Sequence, residues 1–390
     1  MNQFISPKKI YHGEGSLGKL TEILQEYSNK SVFLLTDPML KELGVIEPVL
    51  QQLEQHRIDV HLSTNVIPEP SLDVGNQVVD EIRKSKAGLV IGIGGGSALD
   101  LAKAAAVLTE NDGFVGDYLN LNGRKKFSNR GIPKVLIPTT SGTGAEVTDI
   151  AVFSLEDTKD VITHEFLLAD YAIVDPVLTY TLPPRVTAAS GIDAFTHALE
   201  AFTSINATTI TDTLALEAMR NIAGSIRTAV WNGSDKLARE QMALGSLLAG
   251  LSFYNAGVAG VHALAYPLGG LFKLPHGESN AVLLPYVYDD IWPACIEKLV
   301  KVADIFKLSS EGKSDRQLAQ DVVKSLLDLV QDVGLPTTLD SYNIQRKDIT
   351  ILAENGIKQK RLLNRSPKPF TIGTIEKIYL NALEGKLTNC

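Results

Sequence analysis

Two spacings of apolar residues divide the 390-residue chain. Up to about residue 180, short apolar runs alternate with stretches in which apolar residues recur every three or four positions. Beyond about residue 186 the helical spacing prevails. The runs 31–36, 59–62, 88–93, 134–137 and 172–174 predict strands, and 17–27, 45–56, 72–85 and 98–108 predict the helices between them. Strand and helix in alternation predict an α/β domain with a parallel sheet. Residues 149–163 interrupt that rhythm and predict a hairpin turning near Glu156-Asp157-Thr158. In the second half, helices are predicted over 187–203, 208–230, 234–252, 257–272, 279–296, 313–332 and 373–385. Pro183-Pro184 marks the boundary, giving an α/β domain over 1–183 and a helical domain over 184–390.

Composition narrows the class of partner. A net charge of −8 argues against nucleic acid or an anionic membrane as the main partner. A small anionic cofactor stays compatible, because glycine loops bind phosphate without net positive charge. The two cysteines, Cys295 and Cys390, exclude a disulfide framework and any multi-cysteine zinc site. The first residues lack the apolar core of a signal peptide, and no apolar run reaches the roughly 18 residues that span a bilayer. The expectation is a cytoplasmic protein.

Candidate chemistry is concentrated in four stretches. In Gly191-Ile192-Asp193-Ala194-Phe195-Thr196-His197-Ala198-Leu199-Glu200, Asp193 and His197 are four apart, one turn apart on one helix face. His262 and His276 follow, and these are the three histidines beyond residue 164. One carboxylate with three imidazoles suits Fe²⁺ or Zn²⁺, although Asp193 and His197 alone equally suit a helical hydrogen bond. His56 and His61 have no ligand-like neighbours and read as surface or strand-edge residues. Gly94-Gly95-Gly96-Ser97 follows a strand and precedes a helix, a geometry that aims free N–H groups at a phosphate; a plain tight turn is the alternative. Pro138-Thr139-Thr140-Ser141-Gly142-Thr143-Gly144 adds a hydroxyl-rich loop after another strand, which also fits a plain surface loop. The acid at a strand end, Asp37, lies upstream of the glycine loop, whereas a Rossmann domain places its ribose-binding acid about 20 residues downstream. Any dinucleotide therefore binds a different topology.

Taken in order, Gly94 to Asp100, Pro138 to Thr148, Gly191 to Glu200, and Val261-His262 through Pro275-His276-Gly277 resemble the iron-containing (group III) alcohol dehydrogenase family. The resemblance implies a dehydroquinate-synthase-like fold, with an N-terminal nucleotide-binding α/β domain, a C-terminal helical domain and the active site in the cleft. It implies Asp193, His197, His262 and His276 as ligands of Fe²⁺ or Zn²⁺, through which they act in catalysis. It places NAD(H) along Gly94, Gly95, Gly96, Ser97, Asp100, Thr139, Thr140, Thr143 and Lys159, with Asp37 at the adenosine ribose favouring NAD over NADP. A homodimer is the family's common assembly.

The chemistry this implies is hydride exchange between the nicotinamide and a short-chain alcohol or aldehyde whose oxygen a metal polarises. A zinc polyol dehydrogenase of the glycerol type shares the fold and the chemistry. A dehydroquinate-synthase-like lyase would need a basic cluster for a phosphate-bearing substrate. A non-catalytic nucleotide-binding scaffold would have no use for the metal set. Two positions depart from the family: Tyr266 stands where many members have a proton-relaying histidine, and Glu69 where many have Asn. Phe253 and Tyr254 are expected at the substrate pocket, with interdomain core as their alternative role. The segment 357–368 carries five basic residues and no acid. It fits either a solvated loop or a site where Arg361 or Arg365 pairs with an anionic substrate group.

Overall fold

The computed structural model describes residues 3–27, 30–155 and 158–390. These form two compact units, Ile5–Thr181 and, in the second half, Leu182–Cys390.

In the first unit the strands are β1 (Lys9–His12), β2 (Ser31–Thr36), β3 (Asp59–Ser63), β4 (Leu89–Gly94), β5 (Lys134–Pro138), β6 (Ile150–Ser154), β7 (Lys159–Thr163) and β8 (Tyr171–Val174). Helices α1 (Lys19–Glu26), α2 (Pro38–Glu42), α3 (Glu47–Gln55), α4 (Leu72–Ser85) and α5 (Gly96–Leu108) connect them. Among the described residues, six strands make one parallel sheet in the order β1-β8-β5-β4-β2-β3. β4 and β5 lie inside it and are buried along their whole length, Lys134 of β5 included, as parallel strands covered on both faces are. β3 is the edge strand, and His61 pairs there with Asp59 at 3.5 Å. β6 and β7 form the antiparallel hairpin; Glu156 and Asp157 of its expected turn lie outside the described residues. Strand β1 is absent from the sequence reading. It is a short edge strand with polar ends, so it shows neither a buried run nor alternation.

The second unit is helical: α6 (Pro184–Thr203), α7 (Thr209–Trp231), α8 (Lys236–Ala256), α9 (Gly260–Phe272), α10 (His276–Ile291), α11 (Ile296–Ile305), α12 (Asp315–Asp332), α13 (Ile349–Gly356), α14 (Lys360–Leu363) and α15 (Ile372–Glu384). Pro184 occupies the first turn of α6, where its missing N–H costs nothing. From Gly191 to Thr203 that helix is buried on every side, which is the environment of a core helix. Several boundaries differ from expectation by a few residues: α6 begins at Pro184 rather than 187, α8 runs on to Ala256 rather than 252, and α9 begins at Gly260 rather than 257. α10 begins at His276 rather than at 279, and it stops at Ile291 because Trp292-Pro293-Ala294 makes a separate short turn before α11. Among the described residues, no single helix is long and apolar enough to cross a membrane.

Candidate functional site

In the first unit the site is set by strand order. β2, β4 and β5 are neighbours and parallel, so their carboxyl ends lie along one edge of the sheet. β2 leads outward to β3 while β4 leads the other way to β5 and β8, so the order reverses between β2 and β4. Ligands of open α/β sheets bind at such a reversal. Gly95 caps α5, and no acidic side chain occupies the helix's first turn. A Cβ on Gly96 would lie 2.8 Å from Cγ2 of Thr143, so the loops after β4 and β5 touch only because residue 96 is glycine. The Thr139 N–H donates to the Gly94 carbonyl at 3.0 Å, and Ser97 Oγ accepts the Glu69 N–H at 3.1 Å. Three loops thus converge on one helix N-terminus, an arrangement suited to phosphate.

The remaining first-unit candidates carry structural duties as well. Asp37 accepts the Met39 N–H at 2.7 Å and so caps α2. Asp100 is buried, pairs with Lys103 at 2.8 Å and accepts the Val152 N–H at 3.0 Å, which makes it a brace between α5 and β6. Lys159 pairs with Glu69 at 2.7 Å. Glu69 is itself held in the left-handed region at φ +52°. The residue that departs from the family pattern therefore pairs with the lysine that the resemblance places along the cofactor.

In the second unit, Asp193, His197, His262 and His276 each offer a ligand atom, and these atoms all lie within 4.8 Å of one another. Individual separations from the Asp193 oxygens are 4.0 Å to His197, 3.6 Å to His262 and 3.7 Å to His276. A four-coordinate ion with bonds of about 2.1 Å sets its ligands about 3.4 Å apart, so the group is close to a tetrahedral cage. Two residues that sequence reasoning missed complete it. Glu200, seven positions after Asp193, accepts the N–H groups of Val261 and His262 at the start of α9, which has no side-chain cap of its own. The same carboxylate lies 2.6 Å from Nδ1 of His262, leaving Nε2 to face Asp193. A carboxylate behind an imidazole in this way is the usual support of a metal-binding histidine.

Asn280, one turn after His276, is fully buried at the centre of the group. Its Nδ2 donates to Asp193 at 2.6 Å and lies 3.1 Å and 3.3 Å from the Nε2 atoms of His262 and His276. Its Oδ1 is buried with no hydrogen-bond partner among the described residues. The Asn280 N–H groups thus contact the same atoms that a cation would.

The electrostatics agree. Burial pushes the Asp193 carboxyl up, but His197, His276 and His262 outweigh it and hold the group well below the usual carboxylate range. Burial pulls the His262 imidazole down, while Asp193 and Glu200 outweigh it and push it up to about 9. A field that favours a proton there favours a metal cation as well. The residues therefore fit a divalent ion.

Around this group, Phe253 is buried and stacks on His197 with ring centroids 4.2 Å apart. Tyr254 is half-buried beside it. The Tyr266 ring lies 6.3 Å from that of His276. Arg361 is exposed, and Arg365 is half-buried.

Models of known families match both halves of the chain: iron-containing alcohol dehydrogenase over residues 7–176, and the C-terminal part of the Fe-containing alcohol dehydrogenase family over 187–383. The chain belongs to the iron-containing alcohol dehydrogenase family. It is an alcohol dehydrogenase or aldehyde reductase, not a lyase of related fold. The chain is 50% identical over 385 residues to long-chain-alcohol dehydrogenase 1 of Geobacillus thermodenitrificans, covering 99% of this chain and 98% of that one. It is 38% identical over 367 residues to sulfoacetaldehyde reductase of Bilophila wadsworthia, covering 93% and 94%. Its structure is similar to that of sulfoacetaldehyde reductase from Bifidobacterium kashiwanohense in complex with NAD⁺, with a TM-score of 0.87, 26% identity, and coverage of 99% and 100%.

Proposed function

We propose that the protein transfers hydride between NAD(H) and a short-chain alcohol or aldehyde, including one that bears an anionic group. The observation that carries the reading is the convergence of Asp193, His197, His262 and His276, with Glu200 fixing the orientation of His262. Those four residues would hold Fe²⁺, and Zn²⁺ accepts the same ligands. When bound, such an ion supplies Lewis-acid polarisation of a substrate oxygen, and the nicotinamide supplies the hydride chemistry. The chain's own part is positional. Phe253 packs flat on His197 and restrains its ring. The loops holding Gly95, Gly96, Ser97 and Thr143 would seat the pyrophosphate at the start of α5, and Asp37 would accept the adenosine ribose hydroxyls.

The named relatives point to two substrate classes. One is called a long-chain-alcohol dehydrogenase and the other a sulfoacetaldehyde reductase. A half-buried arginine in the metal-binding unit favours including the second.

The test is NADH consumption by iron-loaded and zinc-loaded protein with a panel of short aldehydes. We expect oxidation of NADH well ahead of NADPH. His276→Ala should lower turnover by more than about a hundredfold together with the bound metal. A protein that consumes no NADH, or a His276→Ala variant with full activity and metal content, would reject the reading.

A further inference from the structure

The five basic side chains between residues 357 and 368 meet different fates. Lys368 pairs with Asp290 at 2.7 Å. Lys358, Lys360 and Arg361 are exposed, the solvated positions that a basic loop is expected to have. Arg365 is the exception. Its side chain is half-buried, yet its guanidinium has no hydrogen bond or ion pair among the described residues. Burial and the neighbouring Arg361 charge both lower its pKa, and of the groups acting on it only the Tyr266 hydroxyl opposes them. A partly desolvated cation with a like charge beside it and no carboxylate is an unfavourable arrangement in the free protein.

The position of that charge is fixed. The Arg365 N–H donates to the Leu362 carbonyl at 3.0 Å, and its carbonyl accepts the Ile205 N–H at 3.0 Å, which pins the backbone between α14 and the loop after α6. The side chain lies against Gly257, where a Cβ would fall 2.5 Å from Cδ and Nη1 of the arginine. Gly257 is also at φ +84°, so residue 257 suits glycine on both counts. It directly follows α8, the helix whose Phe253 stacks on His197. Tyr266, whose hydroxyl acts on the Arg365 charge, has its ring 6.3 Å from that of His276. The unpaired guanidinium is therefore anchored among residues that themselves border the candidate metal ligands.

We infer that Arg365 is the specificity-determining residue of this site and pairs with the carboxylate or sulfonate of a short acidic aldehyde or alcohol. A planar guanidinium takes two oxygens of such a group at once, and the incoming anion supplies the counter-charge that the free protein lacks. The inference rests on the oxidoreductase reading above.

The test compares matched substrates with NADH and metal-loaded protein: 4-oxobutanoate against its methyl ester, and sulfoacetaldehyde against propanal. In the wild type, KM for the acid of at least one pair should be about tenfold lower than for its neutral partner. Arg365→Gln should raise KM for that acid by about 10- to 100-fold, the range of a charge-assisted hydrogen bond, and for the neutral partner by less than about threefold. Arg365→Lys should recover part of the loss. The pair that shows the preference identifies carboxylate or sulfonate as the group recognised. Equal KM values within both pairs in the wild type overturn the inference and leave the oxidoreductase reading intact. So does an Arg365→Gln effect that falls on the KM for NADH.

If no aldehyde consumes NADH, the oxidoreductase reading fails, and calorimetry still decides the arginine. Binding of 4-hydroxybutanoate or 2-hydroxyethanesulfonate to the wild type that disappears in Arg365→Gln supports an anion site. No binding to the wild type overturns it.

Discussion

At the residue scale the informative contrast is between Asp193 and Glu200. Asp193 and His197 share a helix face four positions apart, so their pairing is visible in the linear chain. Glu200 continues the same face, but its partners Val261 and His262 are 61 and 62 positions away, and only folding reveals its part. Its double duty, capping α9 and holding His262, makes a definite prediction. Glu200→Gln should weaken metal affinity by about 10- to 100-fold, measured by chelator competition, with a smaller change in substrate KM. Unchanged affinity would limit Glu200 to its capping role.

Glu146 gives a second prediction at this scale. It is buried, and burial pushes its carboxyl up to about 7 from an ordinary value of 4.5. The folded chain therefore binds more protons than the unfolded chain between those values, and stability falls as pH rises through that window. The loss is on the order of 3 kcal/mol. In Glu146→Gln this contribution should be absent, so that wild type loses stability relative to the variant by that amount between pH 4.5 and about 7. Parallel profiles would exclude the assignment.

At the element scale, Asp37 shows how one side chain serves a helix and a candidate ligand site together. It caps α2 from the carboxyl end of β2, beside the glycine loop after β4. Substitutions separate the two duties. Asp37→Ser keeps an oxygen for the Met39 N–H and removes the charge, so the ratio of kcat/KM for NADPH to that for NADH should rise by at least about tenfold with Tm nearly unchanged. Asp37→Ala should give the same shift in preference and lose about 1 kcal/mol of stability besides. A wild type that prefers NADPH would remove the basis for both. The long elements α4, α5, α6, α7 and α12 are legible in the chain because each carries many helical repeats of apolar residues. The short ones, α11, α13 and α14, are absent from the sequence reading, since about one to three turns carry too little periodicity.

At the scale of the whole molecule, the two sets of candidate residues belong to different compact units. All four metal-ligand candidates lie on α6, α9 and α10 of the unit Leu182–Cys390. The phosphate-binding candidates lie on loops of the unit Ile5–Thr181. Hydrogen exchange should therefore separate them. Removing metal with a chelator should raise exchange chiefly in α6, α9 and α10, while NADH should protect the loops around residues 69, 94–97 and 139–143. An ion present at a hundred times its Kd should contribute about 2.7 kcal/mol to the stability of its unit. Chelation that leaves exchange in α9 and α10 untouched would count against the ligand set.

The sequence by itself determined the division into an α/β half and a helical half, because apolar period and run length are local properties of the chain. It also determined the candidate ligands, because aspartate, histidine and glycine loops are recognisable by type and spacing. Only the tertiary structure decided which of them meet. The adjacency of β2, β4 and β5 joins Asp37 to loops about 60 and 100 residues downstream, and the side-by-side approach of α6, α9 and α10 gathers ligands from 193 to 276. It also distinguished Arg365 from Arg361: both are arginines in one basic segment, but the backbone contacts with Leu362 and Ile205 and the bare face of Gly257 leave one half-buried and the other in solvent. Burial and pairing are relations between distant parts of the chain, and no local pattern encodes them.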